Sequence, residues 1–296
     1  MSLDFQTTAY GKWILAGEHS VLRGSPALVF PLQSKALHLI YGATQKPLSL
    51  KLSGPHGQEL EMLFWGVLDR ACQLLKIPRS DLSGEVQISS DVPVGAGMGA
   101  SATLCVALTK WLGHLGYLAE TEFYEFAKQL ENLFHGESSG VDIAVAMSGK
   151  GLKFLRNGPR VEVLPKWKPH LYISYSGQRG VTSDCVLQVK NLLAQNPVHF
   201  ESLDKKMAAV VENCETILQN TGTDAFDNLA QQISIAENIF REWGLTTGSL
   251  DSHLQMLKEA GAVAVKPTGS GGGGYALSLW KEEPPVHLKE VLISCF

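Results

Sequence analysis

Three closely spaced glycines, Gly95, Gly97 and Gly99, punctuate the segment Pro93-Val94-Gly95-Ala96-Gly97-Met98-Gly99-Ala100-Ser101-Ala102. Just before it, residues 85–89 alternate apolar and polar and stop at Asp91-Val92-Pro93, as a strand does. Just after it, residues 101–115 read as a helix. A strand, a glycine loop and a helix in that order bring the backbone close to a ligand. Successive N–H groups can then face phosphate oxygens, and the helix start adds unpaired donors and a positive dipole end. The same loop also serves as a tight turn with no ligand. Two phosphate-binding loops are excluded. No Lys follows the glycines as a Walker A loop demands, and the spacing is G-x-G-x-G rather than the dinucleotide G-x-G-x-x-G.

A second glycine loop, Lys266-Pro267-Thr268-Gly269-Ser270-Gly271-Gly272-Gly273-Gly274, lies between apolar strands expected at 262–265 and 275–279. Flexible linkers rarely separate two short strands in mid-domain. A backbone brought close to a ligand or to the other domain is the better reason for it.

Two charged clusters accompany the loops. In His135-Gly136-Glu137-Ser138-Ser139-Gly140-Val141-Asp142, the last carboxylate opens the apolar stretch 143–147, where it can act as a helix N-cap or do chemistry. Glu131, eleven residues earlier, sits among Ala127, Leu130 and Phe134, facing inward or at the edge of their stripe. A partly buried Glu needs a partner, and a divalent cation on nucleotide phosphates would be one. Near the N-terminus, Lys12 enters a strand, and Glu18-His19 forms a polar turn.

The 296 residues suit one large or two medium domains, and a break at 159–169 divides the chain into 1–165 and 166–296. The first third is strand-rich, at 13–15, 27–30, 36–41 and 48–52, with a helix over 60–75 whose stripe is Leu63, Val67, Ala71 and Leu74. A helix over 122–134 has Thr121 as N-cap and Gly136 as C′ glycine. Beyond the break come a strand at 171–175 and helices at 183–193, 203–218, 224–243 and 248–260. Hydrophobic residues make up 45% and charged residues 18%, enough for a real core. A net charge of -4 with scattered Lys and Arg argues against nucleic acid or an anionic membrane as partner. Five widely spaced cysteines read as reduced thiols of a cytoplasmic protein, and the nine histidines nowhere pair at zinc-ligand spacing. No secretory signal or membrane span is expected, and Met1-Ser2-Leu3 has the look of an expression scar.

The joint order of these features resembles the GHMP kinase superfamily. Its first motif is matched by Gly11-Lys12 and Gly17-Glu18-His19-Ser20-Val21-Leu22-Arg23-Gly24, its second by 93–102 and its third by 266–274. Within the superfamily, Gly-Glu-His-x-Val followed by Pro26-Ala27-Leu28 looks like the mevalonate kinases, as does Glu131…His135-Gly136-x-x-Ser139-Gly140-x-Asp142. Two departures are Tyr10, where the family usually has Pro, and Ala100, where it usually has the first of two serines.

The resemblance implies an α+β, two-domain GHMP kinase fold. Its N-terminal domain would be like ribosomal protein S5 domain 2, and its C-terminal domain ferredoxin-like. It implies Asp142 as the catalytic carboxylate with Lys12 as its cationic partner, and Ser101 and Glu131 as Mg²⁺ ligands. Glu18, His19 and Thr182 would touch the substrate. Pro93, Gly95, Ala96, Gly97, Met98, Gly99, Ala100, Ser101, Gly269, Ser270 and Gly271 would hold ATP. The activity implied is phosphorylation of mevalonate on its primary hydroxyl, a cytoplasmic step of isoprenoid biosynthesis. Other GHMP acceptors (phosphomevalonate, a sugar, homoserine) and an inactive sensor are the alternatives. Arg23 and Arg179 are the cations a phosphorylated acceptor would call on. Oligomeric state stays open, a homodimer included.

Overall fold

A computed structural model describes residues 4–135 and 138–296. Met1-Ser2-Leu3 and the C′ position expected at Gly136 lie outside them. Two compact units emerge, one made of residues up to Lys12 with Pro31–Gly149, the other of Trp13–Phe30 with Lys150–Phe296. Packing therefore groups the chain differently from a single cut along the sequence, and the division into 1–165 and 166–296 is kept as a proposal about family domains.

The first unit takes residues 5–12 of strand β1 (Phe5–Ala16) and 31–47 of strand β2 (Ala27–Pro47). The expected strands at 27–30 and 36–41 are one continuous element. Pro31, which has no N–H to give a ladder, falls between the stretch that pairs with β5 (Leu152–Phe154) and the stretch that pairs with β4 (Ser83–Ser90). β3 (Ser49–Ser53) runs parallel to β4 and reaches it through helix α1 (Gly57–Leu75), because parallel neighbours need a crossover. The buried stripe of α1 is Leu60, Phe64, Val67, Leu68, Ala71 and Cys72. That face is turned slightly from the expected one, and Leu63 and Leu74 are only partly buried at its edge.

Helices α2 (Ala100–His114), α3 (Phe123–His135) and α4 (Val141–Ser148) complete this unit around a core that includes Leu37, Leu39, Val86, Ile88 and Trp111. A Cβ at Gly113 would lie 2.2 Å from the Phe123 ring, so only glycine allows α2 and α3 to approach there. Thr121 is not an N-cap. It sits inside a short 3-10 turn, Glu120–Glu122, whose Glu122 carboxylate accepts the Ala119 N–H at 2.9 Å.

In the second unit β2 pairs with β5 through Ala27–Val29, and β5 with β6 (Arg160–Glu162). A four-stranded sheet follows: β7 (His170–Tyr175), β8 (Ala264–Thr268), β9 (Tyr275–Trp280) and β10 (Ile293–Ser294), in the order β10-β7-β9-β8 with every neighbour antiparallel. Counted within the sheet this is 4-1-3-2, the ferredoxin-like order. Four helices fill the first crossover: α5 (Thr182–Gln195), α6 (Pro197–Leu218), α7 (Ala225–Glu242) and α8 (Ser249–Glu259). The second crossover has only the short turn Val286–Leu288. β8 runs further than expected, taking in Lys266, Pro267 and Thr268 and leaving 269–274 as the loop. Pro267 is tolerated because β8 is an edge of the sheet.

Candidate active site

Lys12 ends the share of β1 that belongs to the first unit and is 7% exposed. A buried ammonium needs a counter-charge, and Nζ lies 3.3 Å from Asp142 Oδ1. Asp142 is the second residue of α4, not its N-cap; that position belongs to Gly140, in a left-handed conformation with no side chain to offer. The carboxylate is thus free of capping duty.

The glycine loop is tied to this pair, since the Lys12 N–H donates to the Met98 carbonyl at 3.0 Å. Gly99 closes on both charged residues: a Cβ there would stand 3.3 Å from Lys12 Cγ and 3.6 Å from Asp142 Oδ2, at φ 78°. A larger residue would strain the backbone and crowd the ion pair. Gly95 and Gly97 are exposed, also with positive φ, while Ala96 and Met98 are buried and anchor the loop. Helix α2 starts at Ala100 and Ser101, with Pro93 half-buried at the loop's entry. Its N-terminus has no side-chain cap and no acid in the first turn. Those N–H groups and the dipole suit an anion.

Glu131 is buried on α3, and its Oε2 accepts from the Ser138 hydroxyl. Ser138 Oγ accepts in turn from the Gly140 N–H at 2.9 Å. Burial, then the charge of Asp142, pushes the Glu131 carboxyl up to about 8, against the Ser138 bond and Lys12. Held that high, Glu131 keeps its proton near pH 7, and a divalent cation would displace that proton to gain a carboxylate ligand.

The second unit gathers its own candidates. Glu18 and His19 lie in the turn after β1, and both are buried. His19 has φ 57°, rare for a residue with a Cβ. Its Nε2 is 2.8 Å from the Ser270 carbonyl. A carbonyl only accepts, so Nε2 carries the hydrogen and Nδ1 is a bare acceptor. Burial holds the imidazole down at about 4, so it is neutral near pH 7. Glu18 Oε1 pairs with Lys266 Nζ at 2.6 Å. Glu18 Oε2 and His19 Nδ1 are buried with no hydrogen-bond partner among the described residues. Thr182, exposed at the start of α5, lies 3.4 Å from the Ser270 hydroxyl. Gly269 and Gly271 have φ of 100° and 74°, which keeps this loop folded tightly.

Ser138 and Lys266 carry no functional signal of their own in the sequence, and Arg23 is legible there only without its partner. Ser138 was quoted only as part of its motif. Lys266 was read as the first residue of a loop, although a lone charge closing the apolar run 262–265 is a signal for a buried ion pair. Arg23 is held by both carboxylate oxygens of Asp204, a pairing across 181 residues that no local pattern reveals.

The profile of the GHMP kinases N terminal domain matches residues 63–150. Mevalonate kinase of Thermococcus gammatolerans is 28% identical over 302 residues, covering 93% of this chain and 89% of the relative. That of Pyrococcus furiosus is 29% identical over 298 residues, covering 92% and 88%. The crystal structure of L. major mevalonate kinase in complex with R-mevalonate superposes with a TM-score of 0.76 at 24% identity, covering 94% of this chain and 88% of that one.

Residues 63–150 match a GHMP kinase N-terminal domain, and nearly the whole chain is similar to mevalonate kinases.

The fold is α+β, as the resemblance implied, with the ferredoxin-like strand order in its second unit. GHMP kinases use ATP, and the uncapped start of α2 beside the glycine loop is the feature of this chain that suits its phosphates. Among the described residues no cluster of three or more His, Cys, Asp or Glu forms a ready-made metal site. No described helix is long and apolar enough to cross a membrane.

Proposed function

We infer that this protein transfers the γ-phosphoryl group of ATP to the primary hydroxyl of mevalonate, giving 5-phosphomevalonate and ADP for isoprenoid synthesis. The observation that carries the reading is the Lys12–Asp142 pair drawn up against Gly99 of the glycine loop. Phosphoryl transfer asks chiefly for positioning and charge neutralisation. Asp142 aligns the acceptor alcohol and takes its proton as the bond to phosphorus forms, and Lys12 steadies the resulting negative oxygen. The loop 93–99 and the first N–H groups of α2 hold the nucleotide phosphates, with Gly269, Ser270 and Gly271 assigned to the same task by resemblance. Glu131 and Ser101 would hold Mg²⁺, which when bound spreads the charge of the phosphates. Glu18, His19 and Thr182 are assigned to the acceptor. Among the described residues Glu18 Oε2 and His19 Nδ1 both lack a donor, and an alcohol supplies one.

Arg23 favours a neutral acceptor over phosphomevalonate. Its guanidinium is already bound by both oxygens of Asp204, so a substrate phosphate would have to displace a bidentate partner. Five free, buried cysteines suit a cytoplasmic enzyme.

ADP release with Mg·ATP, assayed in parallel against mevalonate, phosphomevalonate, galactose and homoserine, tests the reading. Turnover with mevalonate alone is expected. Turnover with another alcohol keeps the mechanism and replaces the substrate, and nucleotide binding without any turnover makes the chain a sensor.

A further inference from the structure

Lys266 has no exposed surface, and its ammonium meets Glu18 Oε1 at 2.6 Å, with the Ile14 carbonyl at 3.4 Å and the Phe240 ring centroid at 5.4 Å. Burying two charges is costly, and a buried ion pair is often no more stable than apolar residues of the same shape. A pair kept only for stability would be expected to satisfy both carboxylate oxygens, because an unpaired buried acceptor costs free energy of its own. Glu18 does not do this. Oε1 is bound to Lys266, and Oε2 is buried without a hydrogen-bond partner among the described residues. His19, the next residue, likewise keeps Nε2 engaged and Nδ1 open. The two side chains are therefore each fixed by one atom and unsatisfied at another. Both unsatisfied atoms are acceptors.

We propose that Lys266 is a positioning residue: by gripping one oxygen of Glu18 it fixes the carboxylate so that the other accepts a hydrogen bond from a hydroxyl of the acceptor alcohol. The proposal rests on the phosphotransfer reading above and adds a residue to it. Lys266 acts through Glu18 and has no part in the nucleotide half of the reaction. Its loss should weaken the acceptor and leave Mg·ATP alone, a division that a merely structural lysine would not produce.

The test compares wild type, Glu18→Gln, Lys266→Met and the double variant by steady-state kinetics, with melting temperatures measured alongside. In Lys266→Met, KM for the alcohol should rise about tenfold or more, the worth of one hydrogen bond to a charged group. KM for Mg·ATP should change less than about twofold, since a uniform effect would point to general loosening. In the Glu18→Gln background the same substitution should add less than about twofold, because two residues acting as a unit are not additive. Should Lys266→Met fail to fold, the double variant, which leaves no charge buried, decides the matter against Glu18→Gln alone. A lowered melting temperature with unchanged acceptor KM would overturn the proposal, and so would fully additive effects. Wild-type turnover is recorded first with all four alcohols. A wrong acceptor then shows in the wild type, a wrong role for Lys266 only in the variants, and a wild type that turns over none of the four overturns both readings.

Discussion

In the first unit one cation faces two carboxylates. Lys12 pairs with Asp142 at 3.3 Å, Asp142 is 23% exposed, and Glu131 is buried with a serine hydroxyl for company. In the second unit Glu18 and Lys266 stand one against one, 2% and 0% exposed, beside a neutral histidine. In the first arrangement Glu131 keeps a proton near pH 7, and its negative charge would appear only when positive charge arrives from outside the chain. The second is balanced, and what it lacks is hydrogen-bond donors. The contrast matches the roles proposed above, in which Lys12, Asp142 and Glu131 would serve the reacting groups and the metal, and Glu18 and His19 would hold the alcohol by hydrogen bonds.

Breaking the balanced pair gives the largest expected effect. Removing one member of a buried ion pair leaves a lone buried charge and costs about 3–5 kcal/mol, whereas removing both can be nearly neutral. Chemical denaturation of Lys266→Met and of the Glu18→Gln/Lys266→Met double variant should therefore rank the double as the more stable. The opposite ranking would mean the pair is not desolvated as the structure has it. In the first unit, Asp142→Asn should lower kcat at least about 10²-fold while nucleotide binding survives, the low end for general acid–base catalysis. Near-normal turnover would remove Asp142 from the chemistry.

The neutral histidine gives the second unit a pH response of its own. An unfolded chain takes up the His19 proton around pH 6.5, whereas the folded one holds it off until about 4. Across that window the unfolded state binds more protons, so stability falls as pH drops, by about 2 kcal/mol between pH 7 and 5 for this group. His19→Asn keeps a residue that tolerates positive φ and should remove that share of the pH slope in thermal melts. An unchanged slope would mean that the imidazole is not shielded from solvent.

Much of this was legible in the sequence, unevenly. The glycine loop announced itself by position, after an alternating strand and before a helix, and α2 begins at Ala100, one residue ahead of the expected start. The pairing of Lys12 with Asp142 is not a local property: each residue alone reads as a strand end or a cap, and only the order of motifs joined them. Thr121 misled because its hydroxyl has the right chemistry for a cap, but the chain enters α3 through a 3-10 turn closed by Glu122. Lys266 was hidden for the opposite reason. A lysine beside Pro267 and a run of glycines reads as a solvated loop, and its burial comes from packing of α7 against β8 and from Glu18, distant in sequence.

Ser138 gives the smallest effect and the finest distinction between the two regions. Its hydroxyl donates to Glu131 Oε2 while its oxygen accepts from the Gly140 N–H, so it links the proposed metal carboxylate to the turn that carries Asp142. Groups that orient a metal ligand from behind typically contribute about 10–100-fold to metal affinity. Ser138→Ala should therefore raise the Mg²⁺ concentration needed for half-maximal activity about tenfold, near the bottom of that range. The KM for the alcohol should change far less, because among the described residues Ser138 bonds to Glu131 and the Gly140 N–H and to neither Glu18 nor His19. Titrating activity with Mg²⁺ at saturating alcohol, and with alcohol at saturating Mg²⁺, separates the two. A change in the alcohol constant instead would mean that the two regions do not divide metal from acceptor, and the contrast between them would have to be drawn elsewhere.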